Sequence, residues 1–266
     1  MSVETDILLR HRDERGVVTV TLNRPDVRNA FGAELMGAIA DTFDELASDE
    51  SLRCVVLTGA GPAFSAGADL TWMRAMAGYG YNENVADSRR LDALFRAITR
   101  FPAPVVARVN GHALGGAMGL IACADIAVAV RGAKLGFTEV KLGLAPAVIS
   151  TYVQPRIGVG NARRYFLTGE IFDADRAYDL GLVHEVCDPG DLDEVTDRIV
   201  GLVLAAGPIA QREIKALIPQ VAAAPTLDAS ADLAIDVISR LRVSDEGQAG
   251  IEAFFDKRPA PWTPEA

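Results

Sequence analysis

Two periods of hydrophobic and polar positions alternate along the first two-thirds of the chain. Residues 17–22 form a β-branched run that predicts a strand, and Asn23, Arg24, Pro25 and Asp26 turn the chain after it. Over residues 34–47, Leu35, Ile39, Phe43 and Leu46 fall on one face of a predicted helix. Residues 53–58 read as a strand buried on both sides, running into the loop signal Gly59, Ala60, Gly61 and Pro62. A long amphipathic helix is predicted over 84–101, with Leu91, Leu94, Phe95 and Ile98 inward, and Pro102 and Pro104 end it. A buried strand (105–109), a glycine-rich turn (110–116), a helix of small residues (117–124) and another strand (126–130) follow. Strands alternating with helices predict an α/β fold. The last third departs from this pattern. After one more strand at 183–186, helices are predicted over 192–206, 209–221, 227–241 and 245–257. The expected organisation is a core over 1–200 and a helical C-terminal region over 201–266.

At 266 residues such a chain buries most of its surface without disulfide help. Half the residues are hydrophobic and 23% are charged, as in a soluble globular domain. Twenty-six basic residues face 36 acidic ones, and a net charge of −10 argues against nucleic acid as the main partner. Cys54, Cys123 and Cys187 stand far apart with no CxxC spacing, so neither a disulfide framework nor structural zinc is expected, and a reducing cytoplasm is the simple inference. The N-terminus carries acids and no apolar core of signal-peptide length. The longest apolar stretch, 113–124, is about 12 residues, short of the about 20 that a membrane span needs.

The candidate chemistry sits in two loops, each after a buried strand. One is Phe64-Ser65-Ala66-Gly67-Ala68-Asp69-Leu70; the other is Asn110-Gly111-His112-Ala113-Leu114-Gly115-Gly116-Ala117, which opens a helix. Small residues let a ligand approach the backbone, and the start of a helix offers free N–H groups. Side by side, two such loops could aim two N–H donors at one developing oxyanion. Taken singly, each is better read as a tight turn packed under a helix. The glycine spacing is not GxGxxG, so a dinucleotide site is a poor reading.

Together the two loops resemble those of the crotonase superfamily, the enoyl-CoA hydratase/isomerase group. Leu22-Asn23-Arg24-Pro25 with Arg28-Asn29-Ala30, Ala124-Asp125-Ile126, Glu139 with Gly143-Leu144-Ala145-Pro146, Leu167-Thr168-Gly169, Gly181-Leu182-Val183 and the tail from Glu252 to Pro259 resemble its other motifs in order. The resemblance implies a spiral of repeated ββα units, with a helical C-terminal region that builds a homotrimer or a hexamer. It implies an acyl-CoA substrate whose thioester oxygen lies between the N–H groups of Ala68 and Gly116, and an enolate intermediate. Coenzyme A enters as part of the substrate, and no metal or redox cofactor is expected. Arg28, Ala30, Ala66, Asp69, Leu70 and Lys257 fall where the coenzyme moiety is held, Asp69 chiefly by shaping its loop. Trp72, Met73, Tyr81, Asn82, Leu114 and Gly119 are the implied acyl-pocket positions.

Hydratases of this family use two glutamates. The second falls on Glu139; the first falls on Gly119 and is absent. Glu139 alone could shuttle a proton between two carbons, as an isomerase needs, or activate water and return the proton. The run from Phe64 to Met73, Tyr81-Asn82-Glu83-Asn84, and Gly143 through Ser150 are similar to bacterial methylglutaconyl-CoA hydratases, in which glycine at the first-glutamate position is usual. That similarity implies a branched, dicarboxylic enoyl-CoA of leucine degradation. Arg74, Tyr81 and Asn82 are candidates for its distal carboxylate. The leading expectation is a hydro-lyase. The alternatives are a double-bond isomerase and an acyl-CoA binding protein with little catalysis. His112 is read as a packing or capping residue and the cysteines as small core hydrophobes.

Overall fold

The computed structural model describes residues 7–263, so the first six residues, part of the N-terminal stretch considered above, lie outside the described residues. Two sheets grow together along the chain. The larger has six strands in the order β1 (Leu8–Arg12), β2 (Val17–Leu22), β3 (Cys54–Gly59), β5 (Val105–Val109), β7 (Ile126–Val130) and β10 (Glu185–Cys187). The smaller has four, in the order β4 (Ala63–Ser65), β6 (His112–Leu114), β8 (Lys134–Gly136) and β9 (Ile171–Asp173). β1 pairs antiparallel with β2, and β8 with β9; the other pairings are parallel.

Each turn of the chain adds one strand to the large sheet, the next strand to the small sheet, and then a helical segment. β3 and β4 are followed by α2 (Leu70–Met76) and α3 (Tyr81–Thr99), β5 and β6 by α4 (Ala117–Cys123), and β7 and β8 by α5 (Ala147–Thr168), which is broken at Gly158 with φ 73°. This is the expected spiral of ββα units. The middle strands of the large sheet are covered on both faces, which explains why β3 is buried along its whole length. α1 (Ala33–Ala47) buries Leu35, Met36, Ile39, Phe43 and Leu46, and Phe43 meets Phe101 edge-on at 5.1 Å. α4 is buried on every side, so its small apolar residues carry no stripe. Cys54, Cys123 and Cys187 are free and buried, and burial pushes the thiols of Cys54 and Cys123 up to about 12.

Several elements differ from their expected bounds. The turn expected at 110–116 contains β6, a strand too short to show a period. α3 starts at Tyr81, where Glu83 Oε2 accepts the N–H of Gly80 at 2.7 Å. Tyr81 and Asn82 are therefore exposed residues of a helix's first turn and not part of a loop. β10 begins two residues late because His184 is spent on Ala127: its N–H donates to the Ala127 carbonyl, and its Nδ1 accepts the Ala127 N–H at 3.0 Å. α7 (Leu192–Leu204) runs through residue 200, and its apolar face joins the main core. The helices that stand apart are α8 (Pro208–Ala223), α9 (Leu227–Val243) and α10 (Asp245–Phe255). α9 buries none of its residues and α8 only Leu217.

Candidate active site

The site is assembled by the order of the small sheet. β4, β6 and β8 are neighbours, so the segments leaving their ends meet, although they lie far apart in sequence.

The segment after β4 lies along residues 28–31. Ala66 donates to the Arg28 carbonyl (2.8 Å), Phe31 to that of Gly67 (2.8 Å) and Asp69 to that of Phe31 (3.1 Å). Phe31 and Ala68 form a parallel bridge, so the Ala68 N–H points away from the strip. Among the described residues nothing accepts it. After β6, the Gly115 N–H is held by the Gly136 carbonyl at 2.9 Å. Gly116 caps α4, and nothing among the described residues accepts its N–H either. The two segments touch. A Cβ on Gly67, which has φ 83°, would stand 2.4 Å from the Leu114 carbonyl oxygen and 3.4 Å from the Gly116 nitrogen. Glycine is required there on both counts.

The segment after β8 ends in Glu139, the first residue of a 3-10 turn (Glu139–Leu142) closed by Gly143 at φ 73°. A Cβ on Gly115 would lie 3.5 Å from Glu139 Oε1. Glu139 Oε2 is buried and has no hydrogen-bond partner among the described residues. Burial raises its pKa above the ordinary value of 4.5, partly offset by a bond from its own backbone N–H. A buried carboxyl oxygen without a partner is costly and rare, and such groups concentrate at functional sites.

The other expected residues divide. Asp69 caps α2, accepting the N–H of Thr71 at 2.8 Å, and pairs with Arg24 at 2.9 Å. Burial alone would raise its pKa; the Thr71 N–H, the Arg24 guanidinium and the Trp72 N–H outweigh it, so the carboxyl sits below the usual range. Trp72 and Met73 are half-buried on α2, and Trp72 Nε1 donates to Asp87 at 3.3 Å. Leu114 is half-buried and touches Gly67 through its carbonyl. Arg28, Ala66 and Leu70 lie on the two paired segments, Arg28 and Leu70 exposed. Ala30 is buried, its N–H is given to Val27 and its carbonyl takes Arg24 Nη1 at 2.6 Å. No hydrogen bond or ion pair joins Arg74, Tyr81, Asn82 or Lys257 to Ala68, Gly116 or Glu139. Gly119 does not open onto a surface: a Cβ there would stand 2.6 Å from Phe95 Cζ and 2.8 Å from Ile149 Cγ2. His112 is exposed and does not pack; its Nδ1 accepts the Lys134 N–H at 2.9 Å. Sequence reasoning missed Arg24, Asn29 and Ser65 as supports of the first segment. The bonds that join the two segments, Asn29 to Ser65 and Arg24 to Asp69, span sequence separations beyond the reach of any local pattern.

Two free amides and a buried carboxyl on three adjoining segments are what the implied acyl-CoA chemistry requires. The family model described as enoyl-CoA hydratase/isomerase matches residues 12–265. The chain belongs to the enoyl-CoA hydratase/isomerase family. Among solved structures, an enoyl-CoA hydratase from Shewanella pealeana superposes with a TM-score of 0.92 at 38% identity, covering 96% of each chain. The 1,2-epoxyphenylacetyl-CoA isomerase of Escherichia coli is 32% identical over 94% of this chain and 96% of its own. The human mitochondrial methylglutaconyl-CoA hydratase is 29% identical over 97% of this chain and 78% of its own. The family thus joins hydratases and isomerases on one fold, the crotonase fold with its C-terminal helices.

Proposed function

We propose that this member of the family hydrates a 2-enoyl-CoA thioester. The observation that carries the reading is the unpartnered, buried Glu139 oxygen beside the unaccepted N–H groups of Ala68 and Gly116. In this reading the thioester oxygen lies between the two amides. Glu139 takes a proton from water as the water oxygen bonds to the β-carbon. The electron pair of the double bond moves onto the thioester, giving an enolate held by the two donors, each supplying roughly 3 kcal/mol. Glu139 then returns the proton to the α-carbon. The pKa raised by burial makes the Glu139 carboxylate a stronger base toward the attacking water than an exposed one. These steps need neither a metal nor a nucleotide, and coenzyme A arrives with the substrate. Arg28, Ala66, Leu70 and Lys257 are proposed to hold the coenzyme moiety, and Trp72, Met73 and Leu114 the acyl group.

For the acyl group we infer 3-methylglutaconyl-CoA. The support is the motif similarity around Phe64 to Met73 and Gly143 to Ser150, together with the human relative of that name. Exposed Ile214, Ile218, Leu227, Ile235, Phe254 and Phe255 on α8–α10 support a homotrimer or hexamer. Three free thiols support a reducing cytoplasm.

One observation favours a second reading. Phe95 and Ile149 fill the space beside Gly119, so position 119, where the first glutamate of the family's hydratases falls, supplies no carboxyl here. A single base moving a proton between the γ- and α-carbons would make the protein a double-bond isomerase. The deciding experiment follows 3-methylglutaconyl-CoA, crotonyl-CoA and a 3-enoyl-CoA with wild type and Glu139→Gln. Hydration of the branched diacid, lost in the variant, is the expected result. Conversion of the 3-enoyl ester alone would make it an isomerase. Equal inactivity of both proteins toward all three, with acyl-CoA still bound, would make it a binding protein.

A further inference from the structure

Arg24 follows β2 directly and reaches two separate segments. Its Nη1 donates to the Ala30 carbonyl at 2.6 Å, and its Nη2 stands 2.9 Å from Asp69 Oδ2. Its backbone N–H donates to Asn29 Oδ1 at 2.9 Å. Asn29 is fully buried with φ 54°, and its Nδ2 donates to the carbonyls of Ala60 and Ala63, both at 2.8 Å. The Ser65 hydroxyl donates to the Asn29 carbonyl at 2.8 Å and accepts the Gly67 N–H at 3.1 Å. On the far side, Asp69 Oδ1 accepts the N–H groups of Thr71 and Trp72 at the start of α2. The N–H groups of Ala66, Gly67 and Asp69 are all engaged, and that of Ala68 is not.

We propose that Arg24 and Asp69 are positioning residues for the reaction: their ion pair bolts residues 28–31 to 66–69 and so aims the Ala68 N–H at the thioester oxygen. The same carboxylate fixes the start of α2, and through it Trp72 and Met73. The proposal rests on the reading of Ala68 and Gly116 as oxyanion donors. The side chains of Arg24 and Asp69 are 28% and 11% exposed, so the pair is screened less than a surface pair. Its geometry belongs to a guanidinium, whose two Nη atoms serve the Ala30 carbonyl and Asp69 together. Lysine keeps the charge, but its three N–H donors sit on one nitrogen and do not reproduce the planar fork that presents separate nitrogens to the two partners. A donor moved by about 1 Å loses most of its worth, because catalysis of this kind depends on preorganised dipoles.

The test uses full-length wild type, Arg24→Lys, Asp69→Asn and the double variant, each checked for folding by circular dichroism. Asn at 69 keeps an oxygen for the α2 cap, and Arg24→Lys carries the test if Asp69→Asn fails to fold. Three quantities are read: kcat, affinity for a saturated acyl-CoA, and the absorbance of a bound conjugated dienoyl-CoA. Donors that polarise the thioester carbonyl shift that absorbance to the red. The expected result is a kcat lowered about 10- to 100-fold, saturated acyl-CoA affinity within about threefold of wild type, and a diminished red shift. The double variant should be no worse than the more damaged single one, since both break one link. A folded variant that keeps kcat and the full red shift would overturn the proposal. So would parallel losses of affinity and thermal stability with an unchanged red shift. Glu139→Gln separates the two levels. If it leaves turnover intact while Arg24→Lys removes the red shift, the acid–base reading fails and the positioning inference stands. If wild type binds the dienoyl ester with no red shift, the oxyanion reading and this inference fall together.

Discussion

The two segments that offer their amides are held by different means. The one carrying Ala68 is tied by backbone bonds to residues 28–31 and, in addition, by the side chains of Arg24, Asn29, Ser65 and Asp69. The one carrying Gly116 is tied by backbone, through Gly115 N–H to the Gly136 carbonyl, and by shape. A Cβ on Gly116 would stand 2.7 Å from Phe31 Cζ. The first can be adjusted through side chains that lie away from the Ala68 amide itself. In the second, a Cβ on Gly116 has no room unless the Phe31 ring shifts. Glu139 completes the contrast, since one of its oxygens has no hydrogen-bond partner among the described residues.

The severest way to break this arrangement is at the joint between the segments. Gly67→Ala places a Cβ 2.4 Å from the Leu114 carbonyl oxygen at φ 83°, where backbone and not a flexible side chain must yield. A loss of about 3 kcal/mol or more is expected, read as a melting temperature lowered by about 2–4 °C per kcal/mol. An unchanged melting temperature with full activity would mean that the two segments are not in contact.

Glu139→Gln is expected to lower the rate about 10²- to 10⁴-fold while the fold remains intact. The native carboxyl holds its proton more tightly than the unfolded one, so its contribution to stability is complete below the ordinary value of 4.5 and is lost as pH rises through the higher folded value. The variant should therefore match or exceed wild-type stability in neutral and mildly alkaline buffer, with the difference vanishing in acid. Wild-type activity, which needs the ionised base, should rise with pH through a value above 4.5. Melting curves and rates across pH check both.

Ser65→Ala tests the side-chain ties that reinforce the Ala68 segment. It strands the Gly67 N–H and the Asn29 carbonyl in a buried place, at about 1–3 kcal/mol. Denaturant titration measures it, and a neutral result would show that this hydroxyl holds nothing.

The smallest effect is in the pH dependence of Asp69. Its folded pKa is lowered, so its stabilisation is present above the ordinary value of 3.8 and disappears as pH falls through the folded value. Asp69→Asn should flatten the acid limb of the stability curve. An unaltered limb would show that Arg24 and the α2 cap do not favour the charged form.

The large sheet was legible along the chain and the small one was not. β2, β5 and β7 match their expected bounds because five or six consecutive β-branched or buried residues carry a period. β4, β6, β8 and β9 have three residues each, too few for any period, and two of them lie inside glycine-rich stretches that read as turns. α9 was equally plain, with Leu227, Ile235 and Ile238 at helical spacing, yet the chain by itself leaves that face exposed. Gly119 shows the limit from the other side. The missing carboxyl was visible in the sequence, whereas the filling of its place by Phe95 and Ile149 was not.

Sequence alone determined the α/β alternation, the helical C-terminal third, the family, and the residue types at positions 68, 116 and 139. Those follow from local periodicity and from motifs a few residues long. The tertiary structure decided that the three positions meet, because adjacency of β4, β6 and β8 in one sheet is a hydrogen-bonding choice among strands too short to announce themselves. It also decided which amides stay free. An N–H is left without an acceptor only by how every neighbouring donor has been used, and that involves residues as distant as Arg24 and Asp69.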